Sequence, residues 1–275
     1  MRLLLRLATA ALAILALAQP AAAAATVEDL YQAQTIVTGQ GEANRMVGFV
    51  RCLTDVLVKV SGDPRLIGDR RLDPLAGQAA AMVANFSYHD RMSGIPVHDE
   101  QGTRDRPYDL TVTFDPAKID GAVRSLGLSP WGASRPRLVV FVGMRNGAVV
   151  TMLTSDGERA RDQRDAFIAA AGKRGLPIAL PSTGALAAAG LDLAQLEKAD
   201  MGRLDALARQ SGGDQALAGR LVWEDRTLGW SAQWRLSWQA GTQQWRIAGV
   251  AFDEAFRNAT GGALQILSGH GTPKS

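Results

Sequence analysis

The chain has 275 residues, 47% hydrophobic and 21% charged, the proportions of an ordinary globular protein with material for a sizeable core. The formal charge of +3 includes Arg2 and Arg6 in an apolar N-terminal stretch; without those two, 28 basic side chains face 27 acidic ones. That near-balance, with no basic stripe interleaved with aromatics, excludes a nucleic-acid footprint.

Residues 1–25 read as a signal peptide. Arg2 and Arg6 make a basic start, Leu3 to Ala18 is an apolar run, and Pro20 leads into a tract of alanines. Small residues at −3 and −1 suit signal peptidase, with cleavage between Ala22 and Ala25. No other stretch approaches the ~20 apolar residues of a membrane helix. The mature chain is expected to be soluble and periplasmic, with no integral membrane segment. Cys52 is the only cysteine, so no internal disulfide can form, and its place beside an apolar stripe predicts a buried thiol.

The elements follow in order. Residues 29–38 alternate as a first strand, and Gly39-Gln40-Gly41 makes a turn. Residues 42–63 form the element around which the first half is organised. Met46, Phe49, Val50, Leu53, Val56, Leu57 and Val60 recur at helical spacing, and Gly62 ends the helix. A shorter helix is predicted over 73–84, with Asp73 as its N-cap. Strands follow over 86–90 and 108–114, joined by a long polar loop, and Asp115-Pro116 caps a helix to Leu126. Residues 128–137 are rich in Gly, Pro and Ser and read as a linker, with Trp131 placed to plug the joint between the halves.

The second half opens on a continuous apolar strand, Leu138 to Met144, of the kind covered on both faces by helices. A short strand over 148–153, a helix over 159–173 and a strand over 177–180 follow. Helical turns over 183–189, 193–196 and 201–210 precede strands over 215–223, 230–239 and 244–250 joined by short turns, an antiparallel meander. A last helix runs over 252–267, and the tail is expected to be disordered. The fold class is therefore α/β (α+β). A β-α-β-β-α module over 26–127 and a linker over 128–137 precede an α/β module over 138–268 with a C-terminal three-strand meander and final helix. Residues 269–275 form the tail.

The chain is poor in catalytic motifs. Gly39 and Gly41 lack the further glycine of a dinucleotide fingerprint, Asn44 standing in its place, so they read as a turn. His89, His98 and His270 are scattered, and no HExxH, CxxC, GxSxG, SxxK or phosphate loop occurs. Glu158 and Asp162 are neighbours on one helix surface, which points to solvent. No catalytic, cofactor-binding or metal-ligating residue is predicted. Five of six tryptophans lie between 223 and 245. Trp230, Ala232, Trp234, Leu236 and Trp238 share one strand face; Ser231, Gln233, Arg235, Ser237 and Gln239 share the other. The tryptophan face reads first as a sheet face packed under helices. Alternatively, Trp230, Trp234 and Trp238 form a partner or ligand surface.

Several short motifs occur in a suggestive order: LVKVSGD at Leu57 to Asp63, Phe114-Asp115-Pro116, Pro130-Trp131-Gly132 with Arg135-Pro136, and Gly213 to Leu221. Together with Trp234 and Trp245, this set resembles the uncharacterised proteobacterial envelope family known as domain of unknown function twenty sixty-six. The resemblance implies export and no assigned activity, so it carries over no catalytic residues. The chain departs from the pattern at Gln215, where a small residue is expected. The element order is also similar to periplasmic accessory proteins of secretion systems and the flagellar basal body, a fold-level analogy that says little of function. The expectation is a non-enzymatic periplasmic protein that binds or scaffolds another envelope component. The alternative is a glycan or small-ligand binder, or a cell-wall enzyme, acting through the Trp-rich strand.

Overall fold

The computed structural model describes residues 30–94, 105–132, 134–239 and 241–273. The signal-peptide reading of residues 1–25, His98 and most of the long polar loop lie outside the described residues. The architecture is α/β, as the sequence indicates.

In the first half, Gln32–Thr38 (β1), Val83–Asp90 (β2) and Pro107–Phe114 (β3) form an antiparallel sheet in the order β1-β3-β2. Glu42–Ser61 (α1) lays its apolar stripe on one face of that sheet, where Leu110, Val112 and Phe114 point inward and are buried. Cys52 is fully buried in the same stripe. Desolvation raises its thiol pKa to about 12, so the side chain packs as a small hydrophobe. Gly62, at φ 76°, closes the helix and donates its N–H to Val58 O at 2.9 Å. Pro116–Ser125 (α4) is capped by Asp115, whose carboxylate accepts the N–H groups of Ala117 and Lys118.

One helix departs from the sequence reading. Residues 73–84 hold two single turns, Asp73–Ala76 (α2) and Ala79–Met82 (α3), preceded by 3₁₀ turns at Pro64–Leu66 and Arg70–Leu72. Gly77 interrupts propagation, and Val83 already belongs to β2. The capping carboxylates are Asp63 and Asp69, which accept the N–H groups of Arg65 and Arg71 at the 3₁₀ turns, and Asp73 caps nothing.

The second half is built on Leu138–Asn146 (β4). It pairs antiparallel with Val149–Met152 (β5) and parallel with Ile178–Ala179 (β6) and Gln215–Glu224 (β7). Gly229–Trp238 (β8) and Gly241–Val250 (β9) complete an antiparallel meander, giving the order β5-β4-β7-β8-β9. One face is covered by Arg161–Lys173 (α5) and Phe252–Leu267 (α9). The helices Thr183–Ala188 (α6), Leu193–Lys198 (α7) and Met201–Gln210 (α8) lie on the other, where Val139, Phe141, Ala216 and Ala218 join Leu196 and Leu204 in a second core. Burial on both faces explains why β4 reads as an unbroken apolar run.

The larger core runs without a break from the first sheet, through α1, to the α5/α9 face of the second sheet. The connecting segment is bonded into this joint. Trp131 donates its main-chain N–H to Val60 O at 2.7 Å. Arg135, 8% exposed, donates to Lys59 O at 2.6 Å, Arg174 O at 3.0 Å and Gly175 O at 3.2 Å. Its guanidinium also bonds Trp131 O and Gly132 O, and lies 4.2 Å from the Trp131 ring centroid. The carbonyl-rich ends of α1 and α5 thus converge on one cation, the sign that helix C-termini favour. Desolvation lowers its pKa to about 10, leaving it charged at neutral pH.

The far end of α9 docks at the same place. Ser268 Oγ donates to Gly62 O at 2.9 Å, and a side chain at Gly62 would collide with Ser268. The beginning of the tail is tied down as well: His270 donates its N–H to Gln265 O, and Thr272 Oγ1 donates to Gln243 Oε1.

Candidate functional site

The three tryptophans singled out in β8 do not form an open surface. Trp234 is fully buried under α5 and α9, edge-on to Phe167 and Phe256 at centroid distances of 6.2 and 6.4 Å. Gly219 on β7 sits directly opposite it, and a Cβ there would stand 2.1 Å from the indole ring. Trp245 on β9 is also buried, its Nε1 donating to Asn258 O of α9 at 3.2 Å. Trp230 and Trp238, at the ends of β8, are half-buried against the same core. As a continuous ligand platform, Trp230, Trp234 and Trp238 are therefore corrected: the helices α5 and α9 occupy that face, and its ring area serves the core.

The strand alternation that buries Trp234 turns its neighbours outward. On the second face, α7 lies against β4 and β7, and α8 lies against β7 and reaches part of β8. The uncovered part is a concave groove of about 470 Å³, walled by Leu196 and Glu197 of α7. On its floor Arg220, Gln233 and Arg246 form one cross-strand row. Ala218, Arg235 and Gln244 form the next. Strands lie about 4.8 Å apart, so the backbones bearing Arg220 and Arg246 are about 10 Å apart, with Gln233 between them.

The three arginines differ in their partners. Arg220 Nε lies 2.6 Å from Glu197 Oε1, an ion pair in which both side chains keep a third or more of their exposure. Arg235 donates to Ala199 O at 2.8 Å and Leu196 O at 2.7 Å. It satisfies end carbonyls of α7 and holds that helix against the sheet. Burial pushes the Arg235 guanidinium below its ordinary pKa, and a bound anion opposite it would oppose that shift. Arg246 is exposed and, among the described residues, pairs with no acid. The lining carries three arginines against the single acid Glu197, so the groove has a positive field. Two guanidinium groups in one row, Arg220 and Arg246 with the Gln233 amide between them, suit carboxylate or phosphate groups, which guanidinium grips in bidentate fashion.

A larger cleft of about 610 Å³ lies between the halves, against β1, α1 and α5. Its charges are already compensated. Asp55 pairs with Lys173 at 3.0 Å and Arg174 at 3.7 Å, and Lys59 Nζ donates to Gln32 O at 2.8 Å. With its ions satisfied internally, the cleft offers a ligand less than the groove does.

The remaining sequence candidates are placed as follows. Gly39, at φ 76°, turns β1 into α1 and donates its N–H to Arg106 O, which is a turn and not a phosphate cradle. His89 is exposed on β2. His270, read as part of the tail, stands with its Nδ1 2.8 Å from Ser268 Oγ, near the buried Asp63. Burial lowers the His270 pKa, against the pull of Asp63. Burial would raise the pKa of Asp63, but the hydrogen bonds and charge of Arg65 outweigh it and hold the carboxylate below its usual range. The carboxylate is therefore committed to Arg65, and the Ser268 hydroxyl closes the end of α1. Among the described residues no group of three or more His, Cys, Asp or Glu could hold a metal ion, and no helix is long and apolar enough to cross a membrane.

The groove was only half visible in the sequence. Gln233 and Arg235 stand out by their alternation with the tryptophans. Arg220 carries the signal of a lone arginine inside the apolar run Leu217–Val222. Glu197 and Arg246 carried none, because the wall depends on where α7 is laid down.

Comparison with known proteins corrects the resemblance. The family model that matches is Domain of unknown function (DUF8605), over residues 24–132, less than half of the chain. This is a different family from domain of unknown function twenty sixty-six, and no finding supports the proteobacterial envelope assignment. The motifs behind that assignment are local structural signals. Leu57 to Asp63 is a helix end with its left-handed glycine, Asp115-Pro116 an N-cap, and Gly213 to Leu221 a turn and strand. Such signals recur wherever the same local geometry is needed. The matched stretch takes in the first sheet, α1 and Trp131, and stops before Arg135 and the groove. No curated protein and no solved structure matches the chain.

Proposed function

We propose that the chain is an exported, non-enzymatic protein of the periplasm that binds or scaffolds another component of the cell envelope. The groove over β7, β8 and β9 is the surface it uses. The N-terminal basic, apolar and small-residue pattern supports export. The observation that carries the binding role is the uncovered sheet face, which presents Arg220, Arg235 and Arg246 in a concave setting with one acid. A partner that fits carries carboxylate or phosphate groups on a surface narrow enough to enter the groove. A glycan platform on Trp230, Trp234 and Trp238 loses its basis, because the central ring is buried.

Chemical crosslinking in cells tests this reading, with wild-type protein compared with Arg246→Glu. Arg246 is exposed, so its reversal leaves the core intact, and rim charge changes act mainly on association. The wild type is expected to give a discrete adduct whose yield falls at least tenfold in the variant at equal protein level. Free protein alone, or an adduct that ignores the reversal, contradicts the proposal.

A further inference from the structure

We infer that the open edge of β9, beside the groove, takes an extended acidic peptide segment of a partner, which adds as a new strand there and lays its carboxylates alongside Arg246 and Gln244. The inference rests on the reading that this face is the recognition surface, and it specifies the partner and the manner of binding.

Three observations converge on it. The first is the edge. Strand β9 has ten residues and pairs only with β8. Among the described residues, no other hydrogen bond ends on the main chain of Gly241–Val250. One row of its N–H and C=O groups therefore faces outward, a template for strand addition. A register irregularity at Ala248–Gly249 disturbs its C-terminal end, so the regular edge is Gly241–Ile247. It has no proline, and Arg246 is its one charged residue. Two other edges are less open: β5 is four residues long, and the β1 carbonyl at Gln32 is taken by Lys59 Nζ; β2 is an eight-residue edge, but of the first sheet, which does not carry the groove.

The second observation is charge. The face of β9 that carries Gln244 and Arg246 is continuous with the groove floor, where Arg220 and Arg235 lie. A strand added at the normal spacing of about 4.8 Å would bring alternate side chains alongside Gln244 and Arg246. Opposite charges directly across strands are stabilising, so acids are favoured at those positions. The third observation is clearance. The tail crosses near Gln243, which shares the covered face with Trp245, and so leaves the arginine face open. Main-chain pairing supplies affinity here, and the acid alternation supplies specificity.

The test uses the mature protein and fluorescein-labelled ten-residue peptides, read by anisotropy at low salt. The probes are an alternating Thr-Glu peptide, its Thr-Lys counterpart, and two Thr-Glu peptides N-methylated at either every Thr or every Glu. Of those two phases, one removes the donors that face β9. The expected result is saturable binding of Thr-Glu and none of Thr-Lys. One N-methylated phase should bind at least tenfold more weakly than the other, and Arg246→Glu should weaken Thr-Glu at least tenfold. If both N-methylated peptides bind as well as the parent while Arg246→Glu still weakens all three, strand addition is overturned and the anion-binding groove stands. If no Thr-Glu peptide binds, or Arg246→Glu changes nothing, the strand inference and the groove reading both fall.

Discussion

Replacing Arg135 with methionine is expected to cost about 3–5 kcal/mol of stability, the range for removing one partner of a buried charge network. The guanidinium is buried and serves five carbonyls: Lys59, Trp131, Gly132, Arg174 and Gly175. Methionine fills much of the volume but donates nothing. The carbonyls of two helix ends would then face each other in a dry joint, each exposed to the penalty of an unmade bond. For a chain of this size the melting temperature should fall by about 6–20 °C. Arg135→Lys should rescue little of this. An ammonium is a compact point donor and cannot span acceptors from α1, α5 and the connecting segment at once. Thermal unfolding followed by circular dichroism checks both variants. A loss under 1 kcal/mol for Arg135→Met would mean that the joint does not depend on this cation.

Trp234→Ala is the second large effect, with an expected loss of about 3–5 kcal/mol from the transfer and cavity terms of a buried indole. The ring fills the space between Gly219, Phe167 and Phe256, and none of these can move in without shifting a helix or a strand. Trp234→Phe is expected to cost only about 1–2 kcal/mol, because the substitution also removes a buried polar atom. Trp234 Nε1 is shielded from solvent and has no acceptor among the described residues. A phenyl ring keeps the edge-on contacts and drops that donor. Denaturant unfolding of the three proteins gives the comparison. Equal losses for Phe and Ala would contradict this account of the packing.

These two residues also show what a single sequence discloses and what it withholds. Period-two alternation with Leu236 and Ala232 put Trp234 on one strand face, a local rule that needs no knowledge of neighbours, but did not decide whether helices or solvent met that face. The long helix α1 was legible for the same reason, at a period of 3.6. Arg135 was not. It stands in a Pro- and Ser-rich stretch that reads as a linker, and its partners lie 39, 40 and 76 residues away. Only the tertiary fold brings two helix ends to it. The break in the helix over 73–84 was missed because composition favoured continuation, while Gly77 and the start of β2 at Val83 decided otherwise. The recognition groove lies between these cases. Its floor was written in the alternation of β8. Its openness was not, because that depends on where α7 and α8 are laid over the sheet. The family resemblance failed on a related point: strings that encode caps, turns and strands report local geometry more than ancestry.

The claim that the arginine face of the second sheet is the recognition surface is tested most directly by site-specific photocrosslinking in cells. A benzoylphenylalanine is placed at Gln233, exposed on the groove floor, and in a second strain at Gln34, exposed on β1 at the cleft between the halves. The account predicts a discrete adduct from Gln233, absent from Gln34, that is lost when Arg246→Glu is added. Adducts from Gln34 alone, or from neither position, would contradict it.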